Sequence, residues 1–273
     1  MPSPRRPLPE ALNIGYANWG ECDGKIEQAA ADGVNVIIWF ALNLVVASDG
    51  NPRVTGGPNL TCVGQLSRRL DVQRLPTHHF ISIGGWDAPH PSPNVDAARW
   101  WRALAAYDEQ AARAGLRGGF DGIDIDLEGS DNRSSPSNTF DPATLRVVAA
   151  IATRAKAAGK MMSLAPPQSY LDCTTSRFTF SVIEPARCWT SGSGTAFRYA
   201  GRNAYAAFLA LTPPDTFDFI SLQLCKPCAV RSAAQRHTAN AIIPPPQSLP
   251  PGHPPRRMRG AVGCAQCTVV CVR

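Results

Sequence analysis

The residues whose types and spacing could do chemistry lie close together, in Phe120-Asp121-Gly122-Ile123-Asp124-Ile125-Asp126-Leu127-Glu128. Read as a strand, this run alternates, so Asp124, Asp126 and Glu128 share one face and Ile123, Ile125 and Leu127 take the other. Three carboxylates on one inward face are costly to desolvate as anions and cannot all ionise comfortably beside one another. A raised pKa and a shared proton are the expected result. A protonated carboxyl at the C-terminal end of such a strand is what a general acid requires. An amphipathic edge strand with its acids in water is the competing reading, and it suits a strand lying between two helices poorly.

The elements that must position this strand alternate in type. Strands are predicted at Leu12 to Tyr16, Val34 to Phe40, His79 to Trp86, Phe120 to Glu128, Met161 to Pro166 and Phe217 to Leu224. Helices are predicted at Lys25 to Asp32, Asp96 to Ala114, Pro142 to Ala158 and Asn203 to Leu211, with Gly33 and Gly159 as stops. Such alternation implies a parallel sheet with helical crossovers, and its closed form is an α/β (β/α)8 TIM barrel with the site at the C-terminal strand ends. About six barrel strands are recognisable. A doubly wound open sheet would show a glycine-rich phosphate turn after the first strand, and none is present.

The pattern stops near residue 225. Seven of the 27 Lys and Arg, and none of the 21 Asp and Glu, lie beyond it, so the net charge of +6 is a property of the last segment. That segment holds eight prolines between Pro227 and Pro255 and no aromatic residue. The organisation expected is a lead at 1–11, a barrel domain at 12–224 and a basic Pro/Cys-rich tail at 225–273. The tail is expected to be disordered or to reflect a frameshift or retained intron in the gene model. Thr268 to Val272 could form a strand but has no crossover helix before it. The charge distribution argues against a nucleic-acid partner, and no apolar run is long enough to span a bilayer. No secretory signal is recognisable at the N-terminus.

Cysteines divide at the same place. Cys22, Cys62, Cys173 and Cys188 could form two disulfides, Cys173 with Cys188 most plausibly, or be four thiols. Cys225-x-x-Cys228 and Cys264-x-x-Cys267, with His237 and His253 between, have zinc-ribbon spacing over a long proline-rich loop. The sequons at Asn59 and Asn132 fit a secreted chain.

Asp121-x-x-Asp124-x-Asp126-x-Glu128 resembles the DxxDxDxE signature of glycoside hydrolase family 18, the chitinase-type enzymes. Ile81-Ser82-Ile83-Gly84-Gly85-Trp86 resembles the SxGG strand of that family. Leu164-Ala165-Pro166-Pro167-Gln168 resembles its fifth-strand segment, Phe217 to Leu224 its sixth strand, and Leu12 to Trp19 its first. The resemblance covers about 12–224, in order. It implies a retaining, substrate-assisted cleavage of β-1,4 N-acetylglucosamine linkages, an exception to the two-carboxylate scheme. Glu128 would be the acid and then the base. Asp126 would orient the substrate acetamido group, and Asp124 would share a proton with Asp126. Asp121 and Ser82 would be structural. Tyr16, Gly84, Gly85, Trp86 and Gln223 would line the sugar pocket, with Trp19 a further stacking candidate. The resemblance also implies a monomer, chitin or a related N-acetylglucosamine glycan as partner, no cofactor or metal, no membrane, and an extracellular location. A chitinase-like lectin, an inactive fragment and an endo-β-N-acetylglucosaminidase are the alternatives. The lectins usually lose the acid glutamate, which is present here. Two departures bear on activity. Cys225 stands where the family has a tyrosine, and no Trp follows Trp189 on a last strand.

Overall fold

The computed structural model describes residues 6–17, 24–85, 88–128, 140–167, 170–171, 204–225 and 267–272. Six strands run parallel in spatial order: β1 (Ile14–Ala17), β2 (Val36–Val46), β4 (His78–Gly85), β5 (Gly122–Leu127), β6 (Met161–Leu164) and β7 (Phe219–Cys225). Two further strands pair antiparallel, β3 (Pro52–Gly56) with β2 and β8 (Cys267–Val272) with β7. The helices are α1 (Gly24–Ala31), α2 (Leu60–Val72), α3 (Ala97–Arg113), α4 (Pro142–Ala157) and α5 (Ala204–Leu211).

The sheet is curled. Adjacent strands lie about 4.8 Å apart, so strands three steps apart on a flat sheet would be roughly 14 Å from each other. Yet the Phe80 ring on β4 meets Phe219 on β7 with centroids 5.4 Å apart. Tyr16 on β1 likewise reaches Asp124 on β5. This is a parallel half-barrel with helices between its strands, as an incomplete TIM barrel would have. The convex face buries Ile37, Trp39, Ile81, Ile83, Ile123, Ile125 and Leu127 against Trp100, Leu104, Leu145, Val148 and Phe208 of the helices. The concave face has an apolar floor of Val36, Ile38, Phe80 and Phe219.

One device sets the register in three places. The residue just before a strand donates its backbone N–H to the preceding strand and accepts that strand's N–H on its side chain. Asn35 does so with Asn13 (2.9 and 2.8 Å), Asp121 with His79 (2.7 and 2.9 Å) and Asp218 with Met162 (2.7 and 2.8 Å). Each pair satisfies backbone groups where the ladder begins and makes a slip of one residue costly. Helices α2, α3 and α4 begin on Asn59, Asp96 and Asp141, whose side chains accept from Cys62, Arg99 and Ala143 backbone N–H groups.

The six expected strands and four expected helices are present, with ends moved by a few residues. β2 runs six residues past Phe40, and β3 and α2 have no counterpart in the sequence reading. Within the expected tail, β8 pairs with β7 over six register positions. The pairing is antiparallel, so it needs no crossover helix.

Candidate active site

The alternation of β5 places Asp124, Asp126 and Glu128 on the concave side, above the apolar floor. All three are buried, at 0%, 3% and 8% exposure. Their environments differ. Asp124 is ringed by hydroxyls: Ser163 donates to one oxygen at 2.6 Å, and Ser82 and Tyr16 donate to the other at 3.0 and 3.3 Å. Burial pushes Asp124 up to about 6, against the opposing pull of those three hydrogen bonds. Asp126 lies between the other two. Burial, then the charges of Glu128 and Asp124, raise it well above the carboxylate range, and its carboxyl is hydrogen-bonded to Glu128. Burial also raises Glu128, opposed by hydrogen bonds from Gln223 and Asp126. A hydrogen bond between two carboxyl groups needs a proton on one of them, and burial favours keeping it there.

Gln223 on β7 holds this pair from across the curl. Its Nε2 donates to Asp126 at 2.7 Å, to Glu128 at 3.2 Å and to the Ala165 carbonyl at 2.8 Å. Gly84 sits beside Asp126 with φ +106°, and a Cβ there would lie 2.4 Å from the Asp126 carbonyl oxygen. Only glycine tolerates both constraints. Gly85, also at positive φ, lies under the Phe40 ring, which meets Tyr16 edge to face.

The structure thus brings Tyr16, Ser82, Gly84, Asp124, Asp126, Glu128 and Gln223 into one cluster. Asp121 lies apart, at the start of β5, holding the His79 N–H. Trp86 and Trp19 lie outside the described residues, as do Cys228, Cys264, His237 and His253 of the zinc-ribbon reading and the Cys173 and Cys188 pair. Cys62 is disulfide-bonded. One expected contact is different: Asp126 bonds to Glu128 and Gln223, whereas Asp124 turns both oxygens to hydroxyls. Two residues at the site carry no catalytic motif. His90, between β4 and α3, contacts the Glu128 carbonyl through Nε2 at 2.8 Å. Tyr205 on α5 donates to the Leu127 carbonyl at 3.0 Å and the Ile125 carbonyl at 3.3 Å.

Fold and site define an α/β protein of the barrel type with a buried acidic triad at the C-terminal end of its central strand. No family model and no curated protein matches the chain. Among solved structures it is similar to a GH18 chitinase from Pseudoalteromonas aurantia (16% identity, 78% of this chain and 67% of that one, TM-score 0.44). It is also similar to a chitinase from Chromobacterium violaceum (13%, 78% and 55%, TM-score 0.42). A fungal endo-beta-N-acetylglucosaminidase from glycosyl hydrolase family 18 is matched as well (13%, 58% and 55%, TM-score 0.39). The chain spans between 55% and 67% of these proteins' lengths.

Proposed function

We propose that the chain is a chitinase-type glycoside hydrolase of family 18, cleaving β-1,4 N-acetylglucosamine linkages with retention. The observation that carries this reading is the hydrogen-bonded pair of Asp126 and Glu128, buried on the concave face with Asp124 below it and Gln223 across it. In this reading Glu128 protonates the glycosidic oxygen. The substrate's acetamido carbonyl attacks the anomeric carbon and gives an oxazolinium ion, whose positive charge Asp126 orients and stabilises. Asp124 tunes Asp126 from the layer beneath. Glu128 then takes a proton from the water that opens the intermediate. A carboxyl whose pKa burial raises suits this acid step. The substrate is chitin or another N-acetylglucosamine glycan, the working form is a monomer, and the disulfide at Cys62 suits an extracellular setting.

A fluorogenic chitooligosaccharide assay on the full chain beside Glu128→Gln tests the proposal. The expected result is turnover by the wild type and a loss of at least about a hundredfold in the variant. Equal rates would refute the role of Glu128. Saturable glycan binding without turnover in either protein would favour the lectin reading.

A further inference from the structure

The catalytic strand outruns its neighbours, and its last backbone groups need other partners. On one side, β5 pairs with β6 in register Ile125↔Leu164, and Ala165 N–H donates to the Ile125 carbonyl at 2.8 Å. Continuing that register by two residues sets the Leu127 carbonyl against the nitrogen of Pro167, which has no hydrogen to give. Tyr205 supplies the missing donor from α5, at 3.0 Å. On the other side, β4 ends at Gly85, opposite Leu127, and His90 reaches the Glu128 carbonyl at 2.8 Å. That oxygen can only accept, so His90 Nε2 carries the hydrogen.

These two carbonyls belong to the two peptide groups that flank the Glu128 Cα. The first lies before Glu128 and the second after it, so fixing both fixes the φ and ψ of the residue between. The two donors are also fixed relative to each other. The His90 ring stacks on Phe140 (4.8 Å), Phe140 meets Tyr170 edge to face (5.5 Å), and Tyr170 stacks on Tyr205 (6.1 Å). Phe140, Tyr170 and Tyr205 are buried. We infer that His90 and Tyr205 are positioning residues that hold Glu128 from both sides in place of the sheet ladder, as two ends of one aromatic arc. The inference rests on the assignment of Glu128 as the acid. The Tyr205 hydroxyl stays protonated throughout, since burial and then the nearby carboxylates raise it well above its ordinary value.

The test uses the full chain with Tyr205→Phe and His90→Phe, which keep a ring in the arc and remove the donor. His90→Gln returns an Nε2 donor. In the chitooligosaccharide assay the two Phe variants are expected to lose on the order of ten- to a hundredfold in kcat with KM little changed. His90→Gln should recover most of it. Thermal unfolding of each variant checks that the fold persists. A second measurement needs no turnover: NMR titration of carbon-13-labelled glutamate side chains. The Glu128 midpoint is expected to fall by roughly half a pH unit or more in the Phe variants, as the loosened carboxyl gains water. A midpoint that stays put in both overturns the inference. So does wild-type kcat in both variants while Glu128→Gln is inactive. A Glu128→Gln protein as active as wild type refutes the catalytic reading instead, and the titration then decides the positioning.

Discussion

Asp124 is the deepest of the three carboxylates, and its surroundings set a pH dependence with a definite sign. Unfolded, it titrates near the ordinary 3.8; folded, burial pushes it to about 6. The folded chain therefore keeps a proton that the unfolded chain releases between those values. The stability tied to that proton is full below about pH 4 and is lost as the pH rises through about 6, a difference of about 3 kcal/mol. Asp124→Asn cannot ionise, and its amide can still bond the hydroxyls of Ser82, Ser163 and Tyr16. At pH 7.5 the variant is expected to melt several degrees above wild type, and at pH 3.5 at the same temperature. Its turnover should fall, because Asp126 loses the charge beneath it. Equal melting temperatures at pH 7.5 would show that the three hydroxyls stabilise the anion fully. Gly84→Ala makes the opposite trade. The added Cβ meets the Asp126 carbonyl oxygen at 2.4 Å in a left-handed backbone conformation, and neither strand can give way cheaply. A loss of about 2 kcal/mol or more in denaturant unfolding is expected, together with loss of activity. Wild-type behaviour would mean that β4 can retreat from β5.

The strands are held in register by side chains that precede them, and one of these clamps can be dissected by mutation. Asp218 accepts the Met162 N–H at 2.8 Å and also pairs with Lys156 at 2.7 Å. The ion pair is partly exposed and contributes at most about 1 kcal/mol. Leaving a backbone N–H at the sheet without a partner costs about 1–3 kcal/mol. Asp218→Ala is thus expected to destabilise by that larger amount in denaturant unfolding, and Asp218→Asn, which still accepts the N–H, by clearly less. Equal losses would assign the effect to the ion pair. The same clamp explains Asp121, which the family motif includes but the structure sets apart from the acidic triad. The concave carboxylates are legible from alternation, whereas Asp121 falls inside the strand expected at Phe120 to Glu128 and only the family resemblance marks it as structural. What escaped the sequence reading shows why. β3 carries Pro52, Arg53 and Thr55, with Val54 its one large apolar residue, because it lies exposed at the edge of a hairpin. α2 opens on Thr61 and Val63, poor helix formers, and owes its face to Val63, Leu66 and Leu70 meeting a core assembled from distant segments. His90 and Tyr205 carry no motif signal at all. Tyr205 sits in the apolar run Ala204–Leu211 and reads as core. Its hydroxyl acquires a role only where Pro167 ends the ladder.

At the scale of the molecule, the question is what the basic C-terminal segment does for a site whose described residues all precede residue 226. Up to residue 225 the chain has nearly balanced charge, and the basic excess lies in this segment. It does bring β8. That strand pairs with β7 from Ile220↔Val272 to Cys225↔Cys267, with Gln223 opposite Val269. β7 meets β6 in only two register pairs, Ser163↔Phe219 and Leu164↔Ile220, and by the isolated bridge of Pro167 to Gln223. Its C-terminal half therefore depends on β8 for most of its ladder, and that half presents the Gln223 amide to Asp126 and Glu128. A chain ending at Cys225 would leave this half as an open edge, able to pair with a second copy. Amide hydrogen exchange across Phe219–Cys225 is expected to quicken about tenfold or more in the shortened chain, with the β4 and β5 amides little changed. Size-exclusion chromatography should show association of the shortened chain at concentrations where the full chain elutes as one species. Identical exchange across β7 in the two proteins would mean that β6 and the Gln223 contacts hold the strand alone, and that the segment after residue 225 contributes nothing to the site.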